Sequence, residues 1–220
     1  MDKAAFFDAI REGNEVQVHR LLDAEAGLSA CRTTEGLSPL MLALYHRHDS
    51  LLPYLRRHCE PDIWEAAALG DLTRIDELLG SAGELVDLLA VDGFAPLHLA
   101  VFFGHAQAAQ HLVLKGADVD IEASNPSRVR PIHSAAAHWD HAQRLACIGL
   151  LIGADADINA VQAGGFTALH AIARRGDRES CEHLLAAGAL DVEAADGKRP
   201  SDLADAAGFA ELATLIRGRL

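Results

Sequence analysis

The chain has 220 residues, half of them hydrophobic and 23% charged, which is the composition of a folded rather than a disordered protein. Its formal net charge of −13 argues against a nucleic-acid partner, because the chain as a whole repels phosphate groups. No apolar stretch reaches the length that a membrane span needs, and the first residues lack the pattern of a secretory signal.

Alanine and leucine dominate the chain, whereas aromatic residues make up only 5% of it. Both residues favour helices, and alanine lets neighbouring helices approach closely, so the composition indicates an all-α protein. The four cysteines lie far apart and form no metal-binding or redox motif. We therefore expect buried, reduced thiols in a cytoplasmic protein.

A short motif recurs along the chain. Its copies are 36–43, 93–100, 128–135, 165–172 and 197–204, and two weaker copies end at Ala9 and Ala66. In chain order, the last residues of the seven copies are separated by 34, 23, 34, 35, 37 and 32 positions. Self-similarity at such a regular period is the signature of a protein built from stacked repeats.

Each part of the motif predicts a local structure. Ser38 and Thr167 suit a helix N-cap, because their hydroxyls accept hydrogen bonds from amides of the first helical turn. The proline that follows Ser38 suits the first helical position, where its missing N–H costs nothing. Gly70 and Gly104 suit a tight turn between two helices, and Asp-Gly at 92–93 and 196–197 suits the tip of a hairpin-like finger.

These features resemble the ankyrin repeat family, whose unit is a finger followed by two antiparallel helices over about 33 residues. The resemblance is carried by Pro96-Leu97-His98, by Gly-His or Gly-Asp between the helices, and by Gly-Ala-Asp at their end. It implies one all-α domain over 1–220, an ankyrin-type helix-turn-helix solenoid of about seven units that includes two atypical caps. The expected units are approximately 2–33, 34–58, 59–90, 91–123, 124–161, 162–194 and 195–220.

The unequal spacings predict local irregularities. The 23-residue spacing leaves so few residues between two helical segments that one finger is expected to be missing near 56–61. The 37-residue spacing is expected to lengthen the turn between two helices around His138-Trp139-Asp140-His141. At 153–159 the Gly-Ala-Asp sequence comes early, so a shift of register is expected there.

The resemblance implies a non-catalytic adaptor, scaffold or inhibitor that binds another protein through its concave face, formed by finger tips and first helices. Aromatic residues flanked by arginine are typical of binding hot spots. The phenylalanines have an alternative role, since Phe102 or Phe103 can be buried against the next unit, and Phe94 and Phe166 can brace their fingers. The expected contact positions are Tyr45, His46, Val91, Asp92, Phe94, Phe102, Phe103, His138, Phe166, Arg174 and Arg175.

Two other functions stay open at this level. The histidine-rich segment 133–141 could sense a small ligand or a metal ion, although it shows only pairs of ligands where metal sites need three or four. The chain could also be a self-associating structural unit, although we expect a monomer. The sequence contains no catalytic motif, so we expect no enzyme activity, no cofactor and no metal.

Overall fold

A computed structural model of the chain describes residues 2–218, which contain fourteen α-helices and no β-strand. The helices pair into seven hairpins, called units 1 to 7, each with an inner helix followed by an outer helix. The predicted all-α solenoid is therefore confirmed. The helices are α1 Lys3–Arg11, α2 Glu15–Ala24, α3 Pro39–Tyr45, α4 Leu52–His58, α5 Ile63–Leu69, α6 Leu72–Ser81, α7 Pro96–Phe102, α8 Ala106–Leu114, α9 Pro131–Ala137, α10 His141–Gly153, α11 Ala168–Arg175, α12 Arg178–Ala186, α13 Pro200–Ala206 and α14 Ala210–Arg217.

A five- to seven-residue finger precedes the inner helix of every unit from 2 to 7 except unit 3. Each finger is closed by a backbone hydrogen bond between its first and last residues, over 33–37, 90–94, 123–129, 162–166 and 194–198. Only 59–62 separate α4 from α5. The finger expected to be missing is thus absent, and it is the finger of unit 3.

The expectation of a longer turn around 138–141 is wrong. Three residues join α9 to α10, and three residues also join α7 to α8. The extra residues lengthen the outer helix instead, because α10 has 13 residues whereas α8 has 9. Asp155, with a φ of 61°, then ends α10 where Gly116 ends the outer helix of unit 4, which is the expected shift of register.

Buried imidazole rings link consecutive units in the C-terminal half. In units 4 to 6, the ring Nδ1 accepts the N–H of its own helix N-cap, and Nε2 donates to a carbonyl in the segment leading into the next unit. The bond accepted at Nδ1 requires a neutral ring, because a protonated imidazole has no acceptor. The Nε2–O distances are 3.0 Å from His98 to Val129, 3.0 Å from His133 to Ala160 and 3.3 Å from His170 to Lys198.

The apolar core is divided at the joint between units 2 and 3. One cluster of buried residues runs through units 1 and 2, and a second runs from unit 3 to the end of α14. A small cluster of Met41, Leu44, Ala68 and Leu99 connects them. Met41 stands where units 4 to 6 carry the linking histidine, so this joint has neither a finger nor an imidazole link from unit 2.

The buried imidazoles predict acid sensitivity. Burial lowers the pKa of His98 from 6.5 to about 4, so the unfolded chain binds a proton at this site at a higher pH than the folded chain does. The stability contributed by the neutral ring is complete above about pH 6.5 and is lost as the pH falls toward 4. At about 1.36 kcal/mol for each unit of pKa, this site alone accounts for about 3 kcal/mol.

Urea unfolding at a series of pH values between 7 and 4 measures this dependence. His98→Gln should flatten the dependence of the unfolding free energy on pH, whereas the exposed His46→Gln should leave it as in the parent. An equally steep dependence in the His98→Gln variant would show that the ring titrates normally in the folded chain.

Candidate functional site

Three adjoining cavities form one groove along the fingers and inner helices. The largest, the turn-end cleft, has a volume of about 770 Å³ and lies between the turns of units 2 and 5. The aromatic slot, of about 180 Å³, lies between the fingers and inner helices of units 4 and 5. A third cavity of about 590 Å³ continues along unit 6. Ala137, at the end of α9, lines all three, so the groove is continuous.

Most of the expected contact positions lie along this groove or at its rim, with different exposure. The side chains of His46, Val91, Phe102, Arg174 and Arg175 are exposed, and Val91 at a finger tip is 73% accessible. Tyr45, Asp92, Phe94, Phe103 and Phe166 are half-buried. His138 is only 3% accessible, so its ring is withdrawn from the surface that a partner would touch.

The aromatic side chains serve two different purposes. Phe94 packs on His98 and Phe166 packs on His170, with ring centroids 5.7 and 5.3 Å apart, so these two phenylalanines brace the imidazoles beneath them. Phe102, at 39% accessibility, instead presents its ring to the groove. The bracing role considered for Phe94 and Phe166 is therefore seen in the structure, whereas the role of Phe102 in partner binding stays a prediction.

Tyr45 fixes one side of the aromatic slot. Its hydroxyl donates to Asp92 Oδ2 at 2.8 Å, which ties unit 2 to the finger of unit 4. Burial, and then the charge of Asp92, raise the pKa of Tyr45 well above its ordinary value, so the phenol stays protonated as a donor. Its ring packs 5.7 Å from Phe103, which in turn packs edge-on against Phe102.

A buried ion pair holds the turn that contains His138. Arg144 and Asp177 are 3% and 8% accessible, and the guanidinium Nη2 and Nε lie 2.6 and 2.7 Å from Asp177 Oδ2. Arg144 Nη1 also donates to the carbonyl oxygen of His138 at 2.7 Å. Although burial by itself raises the pKa of Asp177, hydrogen bonds from Ser180 and Arg144 bring it below its ordinary value.

In the histidine-rich segment 133–141, which was the alternative candidate for a metal or ligand sensor, His138 and His141 belong to this ion-pair network. The ring nitrogens of His141 lie 3.2 Å from Asp177 and 3.0 Å from Glu179, and the bond to Glu179 and the charge of Asp177 raise the pKa of His141. Within residues 2–218, no group of three or more His, Cys, Asp or Glu side chains is placed to hold a metal ion.

Arg47 and Trp139 are among the lining residues of the turn-end cleft that the sequence did not identify as contact positions. Five of the seven units have a glycine at the same position of the turn between inner and outer helix, with φ between 67° and 89°. These glycines are Gly13, Gly70, Gly104, Gly176 and Gly208. Arg47 occupies this position in unit 2 with a φ of 58°, which costs an L-residue about 1–2 kcal/mol. Trp139 occupies it in unit 5.

These two side chains meet across the intervening units. The Arg47 guanidinium carbon lies 4.4 Å from the centroid of the Trp139 ring, which is 61% accessible. The turns of units 3 and 4 below them carry Gly70 and Gly104, so no side chain from this position blocks the contact. The absence of glycine at 47 and 139 was the signal in the sequence that could have identified both residues.

Comparison with known proteins assigns the family. A model of three ankyrin repeats matches residues 63–162, and a single ankyrin repeat model matches residues 164–197, together more than half of the chain. The chain is 30% identical over 233 residues to the nuclear factor NF-kappa-B p105 subunit of Gallus gallus, covering 97% of this chain and 23% of that protein. It is also 30% identical over 131 residues to an ankyrin repeat protein of fowlpox virus (strain NVSL), covering 55% and 32%.

The chain therefore belongs to the ankyrin repeat family. It spans between about a quarter and a third of the length of these two relatives. None of the helices described in residues 2–218 has both the length and the apolar character needed to cross a membrane.

The buried ion pair gives a direct test of what holds the turn of unit 5. Asp177→Asn keeps a helix-capping side chain but leaves the Arg144 charge unpaired, so the free energy of unfolding should fall by about 3 kcal/mol. Asp8→Asn is the control, because it removes an exposed pair with Arg11 and should change stability by less than about 1 kcal/mol. Equal, small effects of both changes in urea unfolding would contradict a structural role for the buried pair.

Proposed function

We propose that this ankyrin repeat protein acts as a non-catalytic adaptor or inhibitor that binds a partner protein in the groove formed by its fingers and inner helices. The observation that supports this most directly is the groove itself. It is continuous over units 2 to 6, and it combines an exposed aromatic ring, Phe102, with the exposed cations Arg174 and Arg175. Aromatic and arginine side chains contribute most of the binding energy in typical protein interfaces.

The stacking of the units supports the same role. The imidazole bonds fix the inner helices relative to one another, and the Tyr45–Asp92 bond fixes the finger of unit 4 against unit 2. A surface that is ordered before binding loses less conformational entropy when a partner docks. We propose that the seven hairpins act together as one binding unit of this kind.

The chemistry of the groove favours binding over catalysis. The ring nitrogens of His98, His133 and His170 are committed to backbone partners, and burial lowers the pKa of each ring. Burial also raises the pKa of the Cys147 and Cys181 thiols to about 12, which keeps them protonated and unreactive. Such buried thiols are compatible with the reducing cytoplasm, which we propose as the site of action.

Site-specific photo-crosslinking tests the proposed face. A benzoylphenylalanine placed at position 102, inside the groove, should capture a partner protein in a native lysate, and mass spectrometry identifies it. The same probe at position 114, where Leu114 is 78% accessible on the outer helix α8, is the matched control and should capture none.

The captured partner is then used to measure the contribution of the aromatic ring. Phe102→Ala should weaken binding to the purified partner by more than tenfold, because a hot-spot side chain contributes about 2 kcal/mol. Leu114→Ala should leave the affinity unchanged. Equal capture from both positions, or capture only of a second copy of this chain, would contradict the proposal and favour a different face or self-association.

A further inference from the structure

The groove differs in charge from the rest of the molecule. The chain has 32 acidic and 19 basic residues. Nevertheless, Asp49 is the only carboxylate among the described residues that line the three cavities of the groove, whereas four arginines line them. The carboxylates of this acidic protein thus lie mostly outside these three cavities, although Asp62, Glu65 and Asp92 line a smaller cavity that shares Leu99 with the aromatic slot.

Three of the groove arginines have no carboxylate within ion-pair distance among residues 2–218. Within residues 2–218, ten of the fifteen arginines lie within ion-pair distance of an Asp or Glu side chain. Arg47, Arg174 and Arg175 are among the five described arginines that do not. All three are exposed. Most arginines of this chain pair with one of its own carboxylates. These three groove arginines do not, so they are available to a carboxylate of a binding partner.

These cations form a row with Trp139 at its centre. The guanidinium carbon of Arg47 lies over the Trp139 ring. On the other side, Arg175 Nη2 donates to the carbonyl oxygen of Ala137 at 3.2 Å, two residues before the tryptophan, and Arg174 lies beside it on α11. The row therefore borders the turn-end cleft and continues along the cavity of unit 6.

We propose that this groove binds an acidic peptide segment of the partner protein. An apolar side chain of that segment enters the turn-end cleft below the Arg47–Trp139 contact, and neighbouring carboxylates pair with Arg47, Arg174 and Arg175. This inference rests on the proposed function and specifies the chemistry of its partner.

The cleft has the lining that such an anchor needs. Its walls include Leu44, Leu52 and Leu69, together with the rings of Phe102 and Phe103. Removing an aliphatic side chain from water into this lining is favourable, whereas a charged group would be poorly solvated there. The anchor is therefore apolar, and the charged groups of the peptide lie at the rim.

Arg47 is suited to receive a carboxylate while it remains stacked. A guanidinium group contacts an aromatic ring through its planar face, so that its N–H groups stay available in the plane for a carboxylate. Arg47 holds this place at a turn position where five units have glycine and where its own φ of 58° is unfavourable for a side chain. Residues kept in such conformations are frequent at ligand-binding sites.

The other side of the contact is positioned by the buried ion pair. Arg144, held by Asp177, donates to the carbonyl oxygens of His138 at 2.7 Å and Trp139 at 3.3 Å. These bonds keep the backbone of the turn extended, with a ψ of 138° at His138, and leave the Trp139 ring on the surface. Arg144 is thus a positioning residue for the tryptophan.

Synthetic peptides of defined composition test the proposal on the whole chain. The probe is a fluorescein-labelled twelve-residue peptide of repeated Glu-Glu-Leu, and its two matched controls carry Gln in place of Glu or Ala in place of Leu. Fluorescence anisotropy should show binding of the probe and at least tenfold weaker binding of each control. Raising the ionic strength from about 0.1 M to about 1 M, which shortens the screening length from about 10 Å to about 3 Å, should also weaken probe binding.

Indole N–H signals in ¹H–¹⁵N spectra locate the binding. The chain has two tryptophans, and Trp64 Nε1 donates to the carbonyl oxygen of Leu88 away from the cleft. Titration with the Glu-Glu-Leu peptide should shift the Trp139 signal in a saturable manner and leave the Trp64 signal in place. A shift confined to Trp64 would place the peptide elsewhere and overturn the assignment.

Arg47→Gly is the decisive variant, because it restores the residue found at this turn position in five units and should fold at least as well as the parent. It should weaken probe binding about tenfold, whereas Arg20→Ala, which removes another unpaired, exposed arginine on α2, should not. Unchanged binding in Arg47→Gly overturns the proposal, as does equal binding of the glutamine peptide or preferential binding of an oligothymidine. If any of these occurs while position 102 still captures a partner, the groove remains a docking face and only the acidic-peptide chemistry is wrong.

Discussion

The structure depends on the contact between neighbouring hairpins, because a single pair of helices cannot cover its own apolar faces. Inner helices pack against the inner helices of the neighbouring units, and each of the two large apolar clusters runs through several units instead of forming a separate centre in each one. The imidazole bonds fix the orientation of one hairpin relative to the next, because each ring joins the start of its own helix to the segment leading into the next unit. Stacking thereby fixes the positions of the inner helices that line the groove.

That contact is weakest at the joint between units 2 and 3. The buried clusters separate there, no finger precedes unit 3, and Met41 replaces the linking histidine. Two long-range contacts cross the same joint without involving unit 3, namely Tyr45 with Asp92 and Arg47 with Trp139. The largest cavity of the groove lies beneath the second of these contacts. The irregular part of the array is therefore also the part that offers most space to a ligand.

Charged side chains are also distributed unevenly between the groove and the rest of the surface. Elsewhere, carboxylates pair with arginine, cap helices or accept backbone N–H groups of the next unit, as Asp87 and Asp120 do. In the turn-end cleft and the cavity along unit 6, four arginines line the surface and Asp49 is the one carboxylate among the described lining residues. The chain has a net charge of −13, yet the groove carries more basic than acidic side chains. The composition alone could not reveal this difference.

The sequence by itself determined the repeat, the helix pairs, the missing finger and the structural role of His98, because these depend on local capping, turn chemistry and a fixed period. It also singled out Phe102 and Arg174, which line the groove in the structure. Only the tertiary structure decided that His138 is buried, that the extra residues lie in α10 rather than in a turn, and that Arg47 meets Trp139, which is 92 positions away. Contacts between non-adjacent units depend on small rotations that accumulate from hairpin to hairpin, and no single repeat encodes their sum.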